Sequence, residues 1–407
     1  MSAPELLAPA GGPRQLAAAL RFGADAVYLG GKQFGLRAFA GNFSEEALVS
    51  ALDLAHKAGK KAYVTVNAFL YEQDLEPCAK WLRRLCDLGA DAAIVSDPAA
   101  VLLARREAPS LPLHLSTQAN TLNSISAGHF HALGVSRVIA ARELSLEQLG
   151  ALRQNIPETL QIESFVHGAI CASYSGRCVL SNHLAGRDAN QGACAQPCRW
   201  KYALVEEKRP GQFLPVFEDE SGSYIYSADD LCMLEHLTDL LAAGVSSFKI
   251  EGRMKNEYYV ALSVLAYRRA LDAALEHPER PFDRGLLKLV HYASHRRFST
   301  GFYYGTPKSP PGQGGYSQGA QYVARVLNAE GDESLVEQKN RFFLGEDLLL
   351  LSPAGLFPFR AEDLRDEGGS ALAGAPHPEQ RLHLNLPNTA QPGDLILREE
   401  PSEGGLS

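Results

Sequence analysis

The stretch Phe22-Gly-Ala-Asp-Ala-Val-Tyr-Leu-Gly30 returns nearly unchanged as Leu88-Gly-Ala-Asp-Ala-Ala-Ile-Val-Ser96. Two looser copies follow, Leu133-Gly-Val-Ser-Arg-Val-Ile-Ala140 and Ala243-Gly-Val-Ser-Ser-Phe-Lys-Ile250. In each, a helix end meets Gly, a short turn follows, and an apolar run begins. Gly just past a helix accepts the left-handed conformation that closes it. A short run that is apolar throughout reads as a strand buried on both faces.

Between the copies the period is helical. Ser44 reads as an N-cap with Glu45 and Glu46 in the first turn, and Leu48, Ala51, Leu52 and Ala55 share one face. Gly59 closes that helix, and Ala62–Val66 follows as a strand. Extending the count places strands near 6–9, 26–29, 62–66, 92–96, 112–116, 137–141, 160–166 and 246–250. Eight strands alternating with helices over about 270 residues predict a (β/α)8 TIM-like barrel, whose usual size is about 250 residues. A doubly wound open sheet is the alternative.

The rhythm breaks once. An insertion at about 168–228 follows the seventh strand, on the face where barrel enzymes place their chemistry. After Glu276 the βα pattern stops, and short strand-like runs take over at Ala320–Leu327, Leu348–Leu351, Leu382–Leu386 and Leu395–Leu397. The expected division is a barrel over 1–276 and a linker with a small β-barrel-like domain over 277–407.

The insertion holds Cys171, Cys178, Cys194 and Cys198, separated by six, fifteen and three residues. The chain has seven cysteines. An odd number after a start with no basic, then apolar, leader argues against a disulfide framework and for the cytoplasm. Cys78, Cys86 and Cys232 read as small buried apolar residues. The quartet is different, because four clustered thiolates need a cation to neutralise them. Zinc knuckles use closer first pairs, so the spacing favours an iron–sulfur cluster, with zinc as the alternative. Gly168 and Gly176 allow the backbone to approach closely, and His167 reads as a supporting residue just before the first cysteine.

Charge excludes a uniformly basic surface: 39 cations against 47 anions give −8. Within 171–205, Arg177, Arg187, Arg199 and Lys201 oppose only Asp188, so a nucleic acid would have to use such a local patch. No apolar run approaches the roughly 20 residues that span a bilayer, so no membrane role is expected.

The run Glu163-Ser-Phe-Val-His-Gly-Ala-Ile-Cys171, followed by Ser175-Gly-Arg-Cys-Val-Leu-Ser181 and Cys194-Ala-Gln-Pro-Cys-Arg199, resembles the collagenase-like peptidase family, peptidase family U-32. The segments Glu5–Gly12, Phe248–Arg253 and His295-Arg-Arg-Phe-Ser-Thr-Gly-Phe302 are similar to it as well. The resemblance implies oxygen-independent hydroxylation with a 4Fe–4S cluster held by the four cysteines. The branch nearest in length and β tail modifies tRNA, forming 5-hydroxyuridine at the wobble position with prephenate as hydroxyl donor. Other branches act on ribosomal RNA or a quinone precursor, and a protein partner of the same family stays open.

The family name implies proteolysis. The sequence lacks a Gly-x-Ser-x-Gly elbow and a His-Glu-x-x-His helix, so hydrolysis is the secondary reading.

Barrel logic directs attention to polar residues where strands finish: Asn67, Ser116, Gln118, Arg142, Glu143, His167, Lys249, Glu251 and Arg253. His167, Lys249 and Glu251 are the catalytic candidates. Arg142, Arg253, Gln118 and Arg199 are the substrate-binding candidates, since a guanidinium pairs with a carboxylate through two bonds. A structural Lys–Glu–Arg network closing the barrel is the competing account of 249–253. Tyr174, Trp200 and Tyr202 would cover the metal group or stack on an unpaired base, covering being the expectation.

Overall fold

The computed structural model describes residues 4–36, 41–171, 173–174, 176–200, 203–205, 213–215, 229–306, 316–330 and 333–400. Eight parallel strands run through its first part: Glu5–Ala10, Ala26–Gly30, Lys61–Val66, Ala92–Val95, Leu113–Leu115, Val135–Ile139, Gln161–Ala169 and Ser247–Ile250. Each pairs with the next, and the eighth pairs with the seventh and the first, so the sheet closes. The (β/α)8 barrel forms as expected, and the open sheet does not.

The local signals explain the elements. Ser44 Oγ accepts the Ala47 N–H at 3.2 Å, and Leu48, Ala51, Leu52 and Ala55 are the buried face of helix Glu45–Lys57. The sixth strand begins at Val135, two residues before the expected start, because it is already paired with Leu113 there.

The barrel's interior is not purely apolar. Inward positions of the first, sixth, seventh and eighth strands bring Glu5, Arg137, Glu163 and Lys249 into one buried chain. Arg137 Nη1 donates to Glu5 Oε1 at 2.6 Å and to Glu163 Oε2 at 3.2 Å, and Lys249 Nζ donates to Glu163 Oε1 at 2.8 Å. Tyr63 Oη and Ser247 Oγ supply two further donors to Glu5, at 2.6 and 3.0 Å. Every carboxylate here is paired and hydrogen-bonded, the condition under which buried charge is tolerated. A structural charge network therefore exists, but Lys249 finds its carboxylate in Glu163 rather than in Glu251.

Packing changes later than residue 277. Helix Gly285–Tyr292 sends Leu286, Leu289, Val290 and Tyr292 into the barrel's core cluster, and Phe298–Ser299 pairs with Asp230–Leu231. The second architecture starts at Ala320, where an antiparallel seven-stranded sheet encloses Val323, Val336, Phe342, Leu350, Leu382 and Ile396. Three of the four strand runs expected in this region lie within strands of that sheet, and the fourth, Leu382–Leu386, is a strand only as far as Leu384. It meets the barrel through Tyr258 Oη on Ala320 O at 3.1 Å and through Arg21 Nε on the fully buried Asp394, at 3.0 Å. Among the described residues no helix is long and apolar enough to cross a membrane.

Replacing Arg137 by Met leaves Glu5 and Glu163 without the cation between them. Stability should fall by about 3–5 kcal/mol, read as a lower urea midpoint. Lys57→Met removes only the exposed pair with Asp53 and should shift stability by no more than about 0.5 kcal/mol. Equal effects would contradict the interior network.

Candidate functional site at the barrel mouth

One pocket opens where the strands end. Its inner wall comes from Tyr28, Thr65, Ser116, Gln118, Arg142 and Phe165, with Lys249, Glu251 and Arg253 at the end of the eighth strand and just beyond it. The strand ends at Ile250, so Lys249 reaches the pocket from the strand, and Glu251 and Arg253 reach it from the segment and turn that follow. Its outer wall is the insertion, and Cys171, Cys178, Cys194 and Cys198 all line it.

The charged groups are held in defined positions. Arg142 Nη2 donates to Glu251 Oε2 at 3.0 Å and Nη1 to Ala169 O at 3.2 Å, and its guanidinium lies 3.8 Å from the Phe165 ring centre. Glu251 Oε1 accepts its neighbour Gly252 N–H at 3.1 Å. Arg253 Nη1 donates to Thr65 Oγ1 at 2.6 Å. A Cβ at Gly30 would fall 2.4 Å from that Nη1, so glycine is what leaves room for the guanidinium. Lys249 Nζ stands 4.5 Å from the centre of the Tyr28 ring, beneath which it bonds Glu163. Tyr28 Oη donates to Ile250 O at 3.0 Å; burial, reinforced by Glu251, raises this phenol well above its ordinary value and keeps it protonated.

His167 does not reach the pocket. Pairing of the seventh and eighth strands runs Lys249 with Phe165, then Ile250 with His167, so Val166 is an extra residue. One extra residue reverses which face the next side chain takes. His167 therefore points outward against the helix Glu257–Glu276, its Nδ1 3.3 Å from Tyr267 Oη and its ring 5.4 Å from Phe298. Burial lowers it to about 3, so the imidazole stays neutral. The Arg199 side chain and Tyr202 lie outside the described residues.

The cysteine loops are stitched by side chains. Asn190 Nδ2 donates to Cys178 O at 2.9 Å, Ser181 Oγ accepts Ala195 N–H at 2.9 Å, and Gln196 N–H points at Cys194 Sγ at 3.3 Å. Gln191 Nε2 and Asn190 O tie this unit to Phe69, beyond the third strand. On the other side Gly176, at φ +72°, sits on the fifth strand's end: a Cβ there would lie 2.1 Å from Gln118 O. None of the four is in a disulfide; Cys171 is exposed and the others are half-buried. Among the described residues no three His, Cys, Asp or Glu side chains are drawn into a metal cage. The donor chemistry nevertheless suits a four-thiolate group: four cysteines on one pocket, with a backbone N–H aimed at one sulfur.

Tyr174, which lines the pocket with the four cysteines, is 58% exposed, and Trp200 is 49% exposed. Sequence reasoning missed Tyr28, Thr65, Phe165 and Asn190. The first three sit at inward positions that strand alternation marks; Asn190 carried no signal.

The fold and the site define a (β/α)8 barrel protein whose cysteine-bearing insertion walls a charged mouth. The chain belongs to Peptidase family U32: that family's pattern matches residues 11–311, and its C-terminal domain matches 318–397. The chain is similar to the tRNA hydroxylation protein P of Escherichia coli (strain K12), 36% identical with 98% of this chain and 97% of that protein covered. It is also similar to the tRNA hydroxylation protein P1 of Bacillus subtilis (strain 168), at 35% with 97% and 94% covered. The 23S rRNA 5-hydroxycytidine C2501 synthase of Escherichia coli is 38% identical over 67% of this chain and 40% of that protein.

Burial lowers His114, His167, His291 and His295 below the ordinary histidine value. In the unfolded chain each binds a proton near pH 6.5, so below that pH the unfolded state holds more protons. Stability should be full above about pH 6.5 and fall as pH drops towards 3. Urea unfolding at pH 7.5 and 5.0 checks this; His167→Gln should reduce the slope by up to about 1.4 kcal/mol per pH unit. A flat wild-type profile over that range would contradict it.

Proposed function

We propose that the chain hydroxylates RNA without oxygen, at a tRNA uridine, forming 5-hydroxyuridine at the wobble position with prephenate as the hydroxyl donor. The observation that carries this reading is one pocket lined both by four cysteines and by Arg142 and Arg253. The relatives named for tRNA hydroxylation, which match nearly the whole chain, support the RNA substrate.

Cys171, Cys178, Cys194 and Cys198 would hold the 4Fe–4S cluster. When bound, such a cluster supplies one-electron chemistry or a Lewis-acidic iron. The protein's own groups do the rest. Arg253 and Arg142 offer guanidinium donors that recognise a carboxylate in two-point fashion. Tyr28 and Phe165 give flat walls for a ring. Lys249 and Glu251 are the groups placed to hold or pass a proton, and Glu251 is oriented for it by Arg142. Tyr174, at the pocket's lip, is exposed enough to stack on an unpaired base. Hydrolysis finds less support, since among the described residues no histidine lines this pocket to activate a thiol or hydroxyl.

Nucleoside mass spectrometry of tRNA from a deletion strain tests the reading. Loss of 5-hydroxyuridine, restored by the wild-type gene but not by Cys178→Ala, is the expected result; an unchanged nucleoside profile overturns it. Protein purified without oxygen should be brown with about four irons per chain, and colourless protein with stoichiometric zinc would refute the cluster. Arg253→Lys, which loses the two-point donor, should raise the carboxylate donor's KM about 10-fold or more.

A further inference from the structure

The segment His295–Phe302 stands out in the sequence, yet none of its side chains lines the pocket. Its place in the fold is specific. The insertion leaves the seventh strand at Ala169 and returns at Asp230, and the two ends run antiparallel, Ala169 beside Asp230 and Gly168 beside Leu231. Residues 296–301 sit on that junction. Arg296 N–H donates to Asp230 Oδ2 at 3.1 Å and its Nη2 to Oδ1 at 2.8 Å, both side chains under a tenth exposed. Arg297 Nε donates to Asp229 Oδ2 at 3.1 Å, and Arg297 O accepts the Asp230 N–H at 2.9 Å. Two consecutive arginines thus meet two consecutive aspartates. Gly301 then packs on both ends at once, since a Cβ there would lie 3.1 Å from Ile170 Cδ1 and 3.2 Å from Leu231 Cδ1. Ile170 directly precedes Cys171.

We infer that Arg296 and Arg297, with Asp230 and Asp229, form a clasp that sets the direction in which the insertion crosses the mouth. They are positioning residues for the cysteine quartet. The inference rests on reading the four cysteines as ligands of one group. The physical reason is leverage: a loop anchored at one end only can swing, whereas four thiols must meet one group within a few tenths of an ångström. The eight barrel strands close without these pairs, so their placement serves the insertion rather than the barrel. Burial opposes the charge on Asp230, but Arg296 outweighs it and leaves the carboxyl below its usual range, so the inner pair stays ionised.

The outer pair can be tested without emptying a buried site. In the full-length protein, Arg297→Ala and Asp229→Asn are each compared with the swap Asp229→Arg with Arg297→Asp. The first readout is amide hydrogen exchange, which needs neither metal nor substrate. Exchange across 171–200 should quicken about 10-fold or more in each single variant, while the strands of the barrel keep wild-type rates and the swap restores protection. The second readout is iron taken up on anaerobic reconstitution, where affinity should fall about 10–100-fold and recover in the swap. Unchanged exchange at 171–200 overturns the clasp. Faster exchange throughout the barrel also overturns it, because the pairs would then be general staples of the fold. If the wild-type protein takes up no metal, the ligand reading fails, and hydrogen exchange still decides the clasp.

Discussion

Glu163 is the residue on which the two halves of the molecule depend. It is fully buried, and it holds Arg137 on one side and Lys249 on the other. A lone carboxylate in that position would cost several kcal/mol, so its two cations are bound to it by necessity. Those cations come from the sixth and eighth strands, which brackets the seventh strand at the point where the barrel closes. Lys249 is also part of the pocket's wall. The electrostatic floor of the candidate site is therefore the barrel's own closing interaction, not an addition to it.

The seventh strand carries a second constraint. Its extra residue at Val166 turns His167 out of the barrel and into an aromatic and histidine cluster with Tyr267, Phe298 and His295. The same strand then runs two residues further to launch the insertion. Arg142 grips its last carbonyl while orienting Glu251, so pocket and insertion share one guanidinium. On the opposite rim the Gly176 contact with Gln118 fixes the far side of the first cysteine loop. Close backbone approach of this kind admits only glycine.

The site divides by chemistry. Toward the barrel axis stand paired charges and ring faces, suited to a small anionic molecule. Toward solvent stand thiols, then the exposed Tyr174 and Trp200. With a net charge of −8 the chain as a whole does not attract a polyanion, so the proposed RNA substrate would have to be met by local features.

Much of this was legible in the chain itself. The repeated Gly-Ala-Asp phrase, the Ser44 cap and the apolar strand runs obey local rules, and helix closure and strand alternation act over a few residues. They determined the barrel, the location of the insertion and the quartet of cysteines. The pairings were decided elsewhere. That Lys249 answers Glu163 rather than Glu251, that Arg142 answers Glu251, and that Arg296 and Arg297 answer Asp230 and Asp229 are contacts across 66 to 109 residues of chain. His167 shows the limit most sharply. Its place beside Cys171 made it a site candidate, but a single bulge, set by how the seventh strand meets the eighth, turned it to the other face. Only closure of the barrel supplies that information, because side-chain direction in a strand depends on the partner's register as much as on the strand's own sequence.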